Sequence, residues 1–298
     1  ITPALIIGAF VERIKFSAML IFISLWILIV YVPVTHWVWG GGILSSWGTM
    51  DFAGGIVVHA TAGTAALITA LTLGKRRGFP KSITPPHSPI LTMIGAAMLW
   101  VGWFGFNAGS ALGANGGAGM AMLVTHISAS MAALVWMFIE WKRFGKPSLI
   151  GVVTGMVAGL ATVTPASGYI GIPGGLVLGF SGGLLCYLAV DYIRGKLLID
   201  DSLDVFAVHG VGGILGTLLV AFLATSTFSG LGLPEGQTAM SQFVVQVKAV
   251  ILTVIWTSIF TYLILKVTSL IVPLRVDEQE EIEGLDLRSH GEKGYHSD

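Results

Sequence analysis

The composition of this chain is that of a protein embedded in lipid. Of its 298 residues, 54% are hydrophobic and only 11% are charged, and the formal net charge is zero. One soluble core of this size cannot hide that much apolar surface, so an ordinary globular domain is excluded. We expect the lipid bilayer as a partner and no nucleic acid.

Apolar segments long enough to cross a bilayer follow one another along the chain. A transmembrane helix needs about 20 mainly apolar residues. Such segments are predicted near residues 17–34, 52–73, 88–110, 117–139, 148–164, 169–193, 204–224 and 242–272, and residues 1–10 resemble the end of another. The predicted fold class is an all-α, polytopic helical bundle over residues 1–272, followed by a polar tail at 273–298.

The chain opens on Ile1 within an apolar run, without a methionine or a basic leader. This pattern does not indicate a cleavable signal peptide. We expect the sequence to be an incomplete part of a longer protein.

Two histidines stand inside predicted spans, where an ionisable group is costly. His59 follows Asp51 along its segment, and His209 follows Asp204. A charged side chain at the centre of a bilayer costs roughly 2.5–3.5 kcal/mol or more unless it faces a cavity or a partner. The two spans run in opposite directions with similar surroundings, which resembles an inverted repeat with a transport site between its halves. An interhelical hydrogen bond would also explain either histidine alone.

Asp51 and Asp204 stand where helices are expected to begin. Aspartate is a favoured N-cap and suits the positive end of the helix dipole, so capping explains both. The loop 35–51 carries three tryptophans, Trp39 among them. Interfacial belts explain most tryptophans at that depth, although an aromatic face also attracts cations.

Lysine and arginine cluster in alternate loops. They occur near residues 13–15, 75–81, 142–146 and 194–196 and in the tail, but not in the loops 35–51, 111–116, 165–168 and 225–241. The positive-inside rule places basic loops in the cytoplasm. The sequence therefore predicts a multi-pass protein of the cell membrane with a cytoplasmic carboxyl terminus. Lys248 lies inside the last span, and we assign no function to it.

The sequence gives little support for a metal site or an enzyme active site. The chain has one cysteine, Cys186, and no His-x-x-x-His pair, so no zinc or other metal site is expected. No His-Glu-x-x-His motif is present. We expect neither a cofactor nor an enzyme.

Five stretches together resemble the ammonium transporter (Amt/Rh/MEP) family. They are DFAGGIVVH at 51–59, GWFGFNAGS at 102–110, TPASGYIG at 164–171, DVFAVHGVGG at 204–213 and EGLDLRSHGE at 283–292. The resemblance extends over essentially the whole chain, and its tail is closer to the bacterial Amt branch than to the Rhesus branch.

The resemblance implies a homotrimer with one pore in each subunit. Each subunit would have two five-helix inverted repeats and a long last helix, here at 242–272. About three helices of the family would precede Ile1, together with the outer of two stacked phenylalanines that close the mouth. The chain would then be a piece of a full-length transporter, or else an inactive fragment.

The resemblance also implies roles for individual residues. His59 and His209 correspond to paired pore histidines that hydrogen-bond to each other and to the passing substrate. Trp39 and Ser110 would recruit ammonium at the outer mouth, and Asp51 would organise that site.

The gate and the pore lining correspond to four apolar residues. Phe106 would be the inner of the two stacked phenylalanines, and Trp103, Leu99 and Val205 would line the narrow path. Ammonium, or its analogue methylammonium, would lose a proton at the mouth, and ammonia would pass while protons move separately along the histidines. An ammonium sensor on the same scaffold would share these motifs but needs a long output domain. A urea or water channel would not need a cation site at Trp39.

The tail is expected to be regulatory. The tail residues that match the family's pattern are Gly284, Leu285, Asp286, His290 and Gly291. In bacterial relatives a trimeric PII-type signal protein docks there, and the resemblance implies contacts of such a partner with the tail and with loops 75–81 and 194–201.

Overall fold

The computed structural model describes residues 1–82 and 84–295, and its regular elements are helices. They are α1 (Thr2–Ile7), α2 (Phe16–Ser46), α3 (Gly55–Leu73), α4 (Pro89–Gly109), α5 (Gly116–Phe144), α6 (Leu149–Val163), α7 (Ile172–Gly195), α8 (Phe206–Leu223), α9 (Ala239–Ile271) and α10 (Glu278–Glu283). In this part of the chain, seven helices are long and apolar enough to cross a bilayer, and α6 is a shorter apolar helix. The predicted polytopic helical bundle is confirmed. The last three residues of the tail, His296 included, lie outside the described residues.

The first full span is longer than the sequence indicated. Instead of ending near residue 34, α2 continues through Trp39, breaks at residues 40–42 and ends in one further turn. The break occurs where Gly41 adopts a positive φ of 78°, a conformation that glycine reaches without a steric penalty. The prediction that Trp39 lies in a loop was therefore wrong, because this residue ends a helix.

Glycine residues let helices α5, α6 and α7 approach one another closely. A methyl group at Gly159 of α6 would collide with the Ser128 carbonyl oxygen of α5, and one at Gly179 of α7 would lie only 2.8 Å from the β-carbon of Met131. Backbones that come this close gain dispersion contacts that lipid cannot provide. The glycines at these positions therefore allow α5, α6 and α7 to pack closely.

Helices α3 and α8 cross at glycine and run in opposite directions. A side chain at Gly63 would collide with the backbone of Gly210. The carboxyl end of α3 meets the amino end of α8, because the Arg76 amide donates to Asp200 Oδ2 at 2.6 Å. This crossing brings the two histidine-bearing turns face to face.

Buried charges join the loops at one end of the bundle. Arg13 is fully buried and donates to the Ser202 hydroxyl at 2.7 Å, and the Arg76 guanidinium binds both Asp200 oxygens. Arg275 donates to the carbonyl oxygen of Leu73, the last residue of α3, at 2.9 Å. We call the end formed by residues 8–15, 74–82, 196–205 and 273–295 the basic end.

The tail packs against the basic end. Glu281 in α10 accepts hydrogen bonds from the Arg77 amide at 2.7 Å and the Arg275 guanidinium at 2.8 Å. Farther along, the His290 ring meets the Phe16 ring edge-on at 5.2 Å. The described part of the tail is therefore ordered against the bundle.

Candidate functional site

The two histidines of α3 and α8 face each other in the interior of the bundle. Their Nδ1 atoms are 3.2 Å apart, and the rings lie nearly parallel with centroids 5.2 Å apart. His59 is 1% exposed and His209 is 7% exposed. Since a hydrogen bond needs one donor and one acceptor, the two neutral rings must be opposite tautomers.

Both histidines lie in a widened helical turn. The Thr61 amide donates to the Ile56 carbonyl, and the Val211 amide donates to the Phe206 carbonyl, so each bond spans five residues instead of four. Such π-type turns occur often at functional sites, because the extra residue redirects nearby side chains. The two turns therefore match at the level of the backbone as well as the sequence.

Asp51 caps the helix that carries His59. Its carboxylate accepts hydrogen bonds from the four amides of residues 54–57, at distances from 2.6 to 3.1 Å. Burial raises the pKa of Asp51, and the bonds from the backbone N–H groups act in the opposite direction. The carboxylate is therefore occupied by its own helix, and it organises this end of the bundle without a free oxygen for a ligand.

The capping role predicted for Asp204 is wrong. Asp204 has a left-handed φ of 56°, and its carboxylate binds the Arg194 guanidinium at 2.8 Å. The cap of α8 is Asp201, whose Oδ2 accepts from the Phe206 amide at 2.7 Å. Burial raises the pKa of Asp204 to about 7, and the charge of Arg194 acts against that rise.

An apolar groove opens beside His59. It has a volume of about 260 Å³, and Leu99, Trp103 and Phe106 of α4 lie along it. The Trp103 ring stacks on His59 at 5.4 Å, and its indole nitrogen donates to the Thr164 hydroxyl at 2.9 Å. These walls give a small polar molecule few hydrogen-bonding partners besides the imidazole.

Trp39 and Ser110 lie at the end of the bundle opposite the basic end. The Trp39 indole nitrogen donates to the Asp51 carbonyl oxygen at 2.8 Å, while 46% of the residue remains exposed. The Ser110 hydroxyl donates to the Phe106 carbonyl oxygen at 2.9 Å, which leaves its own oxygen free to accept. Phe106 packs in the same hydrophobic cluster as Val38, one residue before Trp39.

Val205 does not reach the groove beside His59. It is buried directly before α8 and packs in the cluster that contains Ile6 and Phe10. Its prediction as a lining residue stays a prediction.

Several polar residues near the site were not found from the sequence. Gln242 and Gln246 of α9 are fully buried and hold residues 48–50, next to Asp51. Their spacing of four residues within an apolar span was a usable signal, because polar side chains there usually have partners.

One enzyme-like motif proves to be helical. Residues 179–183 read Gly-x-Ser-x-Gly, but they lie within α7, and the Ser181 hydroxyl donates to the Val177 carbonyl oxygen at 2.7 Å. The catalytic serine of this motif stands on a sharp turn between a strand and a helix, so Ser181 does not match it.

The fold and the site define a multi-pass helical membrane protein with two buried histidines in contact, one of which lines an apolar groove. Its sequence matches the model of the Ammonium Transporter Family over residues 1–295. Among its relatives are the ammonium transporter of Aquifex aeolicus, 48% identical over 99% of this chain and 69% of the relative, and ammonium transporter Amt1 of Archaeoglobus fulgidus, 47% identical over 99% and 75%.

Solved structures agree with these sequence matches. A protein titled Sensor Amt Protein superposes with a TM-score of 0.90 at 30% identity, over 97% of this chain and 74% of that one. Saccharomyces cerevisiae Mep2 superposes with a TM-score of 0.80 at 36% identity, over 93% and 66%. This chain belongs to the ammonium transporter family. Transport of ammonium across a membrane is the activity that this membership supports, and its relatives are named as transporters.

Proposed function

We propose that this protein takes up ammonium at the Trp39 end and conducts ammonia past the histidine pair, with a separate relay of protons. The observation that carries the proposal is the contact between His59 and His209 beside an apolar groove. A hydrated cation finds little replacement for water along such walls. Ammonia is neutral and both donates and accepts hydrogen bonds, so it crosses at a lower cost.

Recruitment takes place before this barrier. The exposed face of Trp39 attracts a cation by about 0.5–2 kcal/mol, depending on desolvation. The Ser110 oxygen accepts a hydrogen bond from the same cation, and Asp51 holds the indole in place through its carbonyl oxygen. Ammonium then gives its proton to water at the mouth, near Phe106; ammonia enters, and the proton crosses separately along the histidine pair.

The histidines act as a pair. The two Nδ1 atoms share one proton. The ring that donates this proton has an Nε2 that can accept a hydrogen bond, and the other ring has an Nε2–H that can donate one. Such a pair hydrogen-bonds to ammonia from both sides and passes a proton along without carrying two charges. Leu99 and Trp103 line the groove beside this pair with apolar surface.

The proposal also includes the membrane in which the protein lies and its orientation there. The grouping of basic loops at one end supports a cytoplasmic location for that end and for the tail, in the cell membrane. A homotrimer, with one pore in each subunit, completes the assembly.

Flux measurements test the proposed function. We expect proteoliposomes that contain the protein, expressed from its natural gene, to take up ammonium and methylammonium faster than protein-free vesicles, with no added K⁺ flux. Equal uptake in both preparations, or K⁺ passage at the ammonium rate, would contradict the proposal.

The tail, residues 273–298, is proposed to regulate this flux through a cytoplasmic PII-type signal protein. The Glu281 contacts with Arg77 and Arg275 support the idea, because Arg275 also holds the carboxyl end of the His59 helix. Gly284, Leu285 and Asp286 line a groove of about 950 Å³ between the tail and the bundle. The partner is proposed to contact the tail and the loops 75–81 and 194–201, and His290 and Gly291 belong to the same proposed unit.

Removal of residues 277–298 should leave insertion intact but lower the flux or abolish its inhibition by the PII-type protein. Glu281→Gln weakens the ion pair with Arg275 and the hydrogen bond from the Arg77 amide, and it should reproduce part of this effect. The measurement is methylammonium uptake with and without the purified partner.

Glu292→Gln provides the matched control, since Glu292 is exposed and the described residues give its carboxylate no bond. It should behave like the wild type. If the truncated protein were inhibited as strongly as the intact one, with equal basal flux, the tail would be only a solvated end.

A further inference from the structure

Gln246 makes a complete set of hydrogen bonds inside the membrane-spanning part of α9. Its Oε1 accepts from the Met50 amide at 2.9 Å and from the Gln242 side chain at 3.2 Å. Its Nε2 donates to the carbonyl oxygens of Met50 at 2.7 Å and Thr217 at 2.9 Å. The backbone partners also fix the orientation of the amide, because an N–H group can only donate and a carbonyl oxygen can only accept.

These bonds connect three parts of the molecule. Thr217 belongs to α8, the helix of His209, and Gln246 belongs to α9. Met50 directly precedes Asp51, whose carbonyl oxygen holds the Trp39 indole at 2.8 Å. Gln242 adds a bond to the Gly48 carbonyl oxygen at 3.0 Å. A short path of hydrogen bonds therefore runs from the bundle interior to the indole.

The residue that follows Asp51 is held by a separate hydrogen bond. The Phe52 amide donates to the Pro165 carbonyl oxygen at 3.0 Å. Asp51 is thus held on its carboxyl-terminal side by Pro165 and on its amino-terminal side by Gln246. Only the second anchor depends on a side chain, so substitution can remove it.

We propose that Gln246 is a positioning residue for cation selection at the outer mouth. By holding Met50 it fixes the Asp51 carbonyl oxygen and, through it, the angle of the Trp39 ring. The inference rests on the proposed recruitment site at Trp39, and it adds a residue on another helix that touches neither substrate nor histidine. Its loss changes the affinity of recruitment and leaves the histidine path intact.

The test compares Gln246→Leu with Trp39→Leu in methylammonium uptake by the protein expressed from its natural gene. We expect Gln246→Leu to raise the concentration for half-maximal uptake about five-fold, with the maximal rate within about two-fold of wild type, as loss of a few neutral hydrogen bonds would give. Trp39→Leu should raise it at least as much. The double variant should be no worse than Trp39→Leu, because both changes disable the same ring.

Two further variants separate positioning from folding. Thr253→Val lies on the same helix, is fully buried and replaces a hydroxyl with no partner among the described residues, so it should match the wild type. Gln246→Glu keeps the size and the acceptor oxygen but replaces the Nε2 donor with oxygen, so it loses at least one of the bonds to the Met50 and Thr217 carbonyl oxygens and should also raise the half-maximal concentration. It also provides the measurement if the leucine variant fails to reach the membrane. Faster hydrogen exchange of the amides at 54–57 in the Gln246 variants would support the proposal independently.

The outcomes are distinguishable. A shift in Trp39→Leu without one in either Gln246 variant would overturn the inference and leave the recruitment site standing. No shift in Trp39→Leu would overturn both. A fall in maximal rate and abundance with an unchanged half-maximal concentration would show that Gln246 supports folding alone.

Discussion

Replacing His59 or His209 with alanine should lower ammonium flux at least about ten-fold, or let K⁺ pass with it, while the protein still inserts and assembles. Each change removes one ring of the contact between the Nδ1 atoms. A ten-fold loss corresponds to about 1.4 kcal/mol, which is within the cost of leaving one buried polar partner unpaired. Uptake of ammonium and of K⁺ by proteoliposomes measures both effects.

The two single variants should not be equivalent. His59 also stacks on Trp103 at 5.4 Å and meets Phe106 at 6.4 Å. Its removal therefore opens the apolar wall, and we expect His59→Ala to lose more discrimination against K⁺ than His209→Ala does.

His126→Ala is the matched control. His126 lies in the membrane-spanning part of α5, but it is exposed on the outside of the bundle beside Trp100, with rings 5.2 Å apart. Its removal should leave flux and selectivity unchanged. Wild-type transport in both pore variants would refute the role of the pair.

The apolar runs were sufficient to predict the fold. Each predicted span became a helix, because a backbone without water must satisfy its own hydrogen bonds. The pairing of His59 with His209 was also accessible from their matched, oppositely directed surroundings. The exact contact between Nδ1 atoms was not, since it depends on the widened turns and on the close approach of Gly63 to Gly210.

The capping aspartate of α8 shows where sequence reasoning failed. The sequence predicts the cap at Asp204, the acidic residue nearest His209, whereas Asp51 and Asp201 are the pair that stand eight residues before their histidines. The chain makes an extra left-handed turn at Asp204, which an aspartate tolerates better than most residues. Such a turn between the cap and the helix leaves no periodic signal.

Long-range hydrogen bonds are the other part that could not be predicted. Gln246 meets Met50 across 196 positions of the sequence, and Arg13 meets Ser202 across 189. Hydropathy indicates that such polar groups need partners but does not say which ones. The partners follow only from how α9 and the loops of the basic end pack.

Asp51→Ala should lower the free energy of unfolding more than any other single change considered above. It leaves four backbone amides, those of residues 54–57, without their acceptor in a buried position. Each buried donor left unpaired costs about 1–3 kcal/mol, and partial relaxation of the helix start reduces the sum, so we expect a loss of about 3 kcal/mol or more. Unfolding of the purified protein by a denaturing detergent measures it.

Asparagine substitutions at the two capping aspartates test whether the bonds from the carboxylates to the backbone amides cause the loss of stability. Asp51→Asn keeps one of two occupied oxygens and should fall between alanine and the wild type. Asp201→Asn should cost about 1 kcal/mol or less, because only Oδ2 accepts a bond there and Oδ1 has no partner within the described part of the chain. If the two asparagine variants were equally stable, the bonds of Asp51 to residues 54–57 would not be what holds the His59 helix in place.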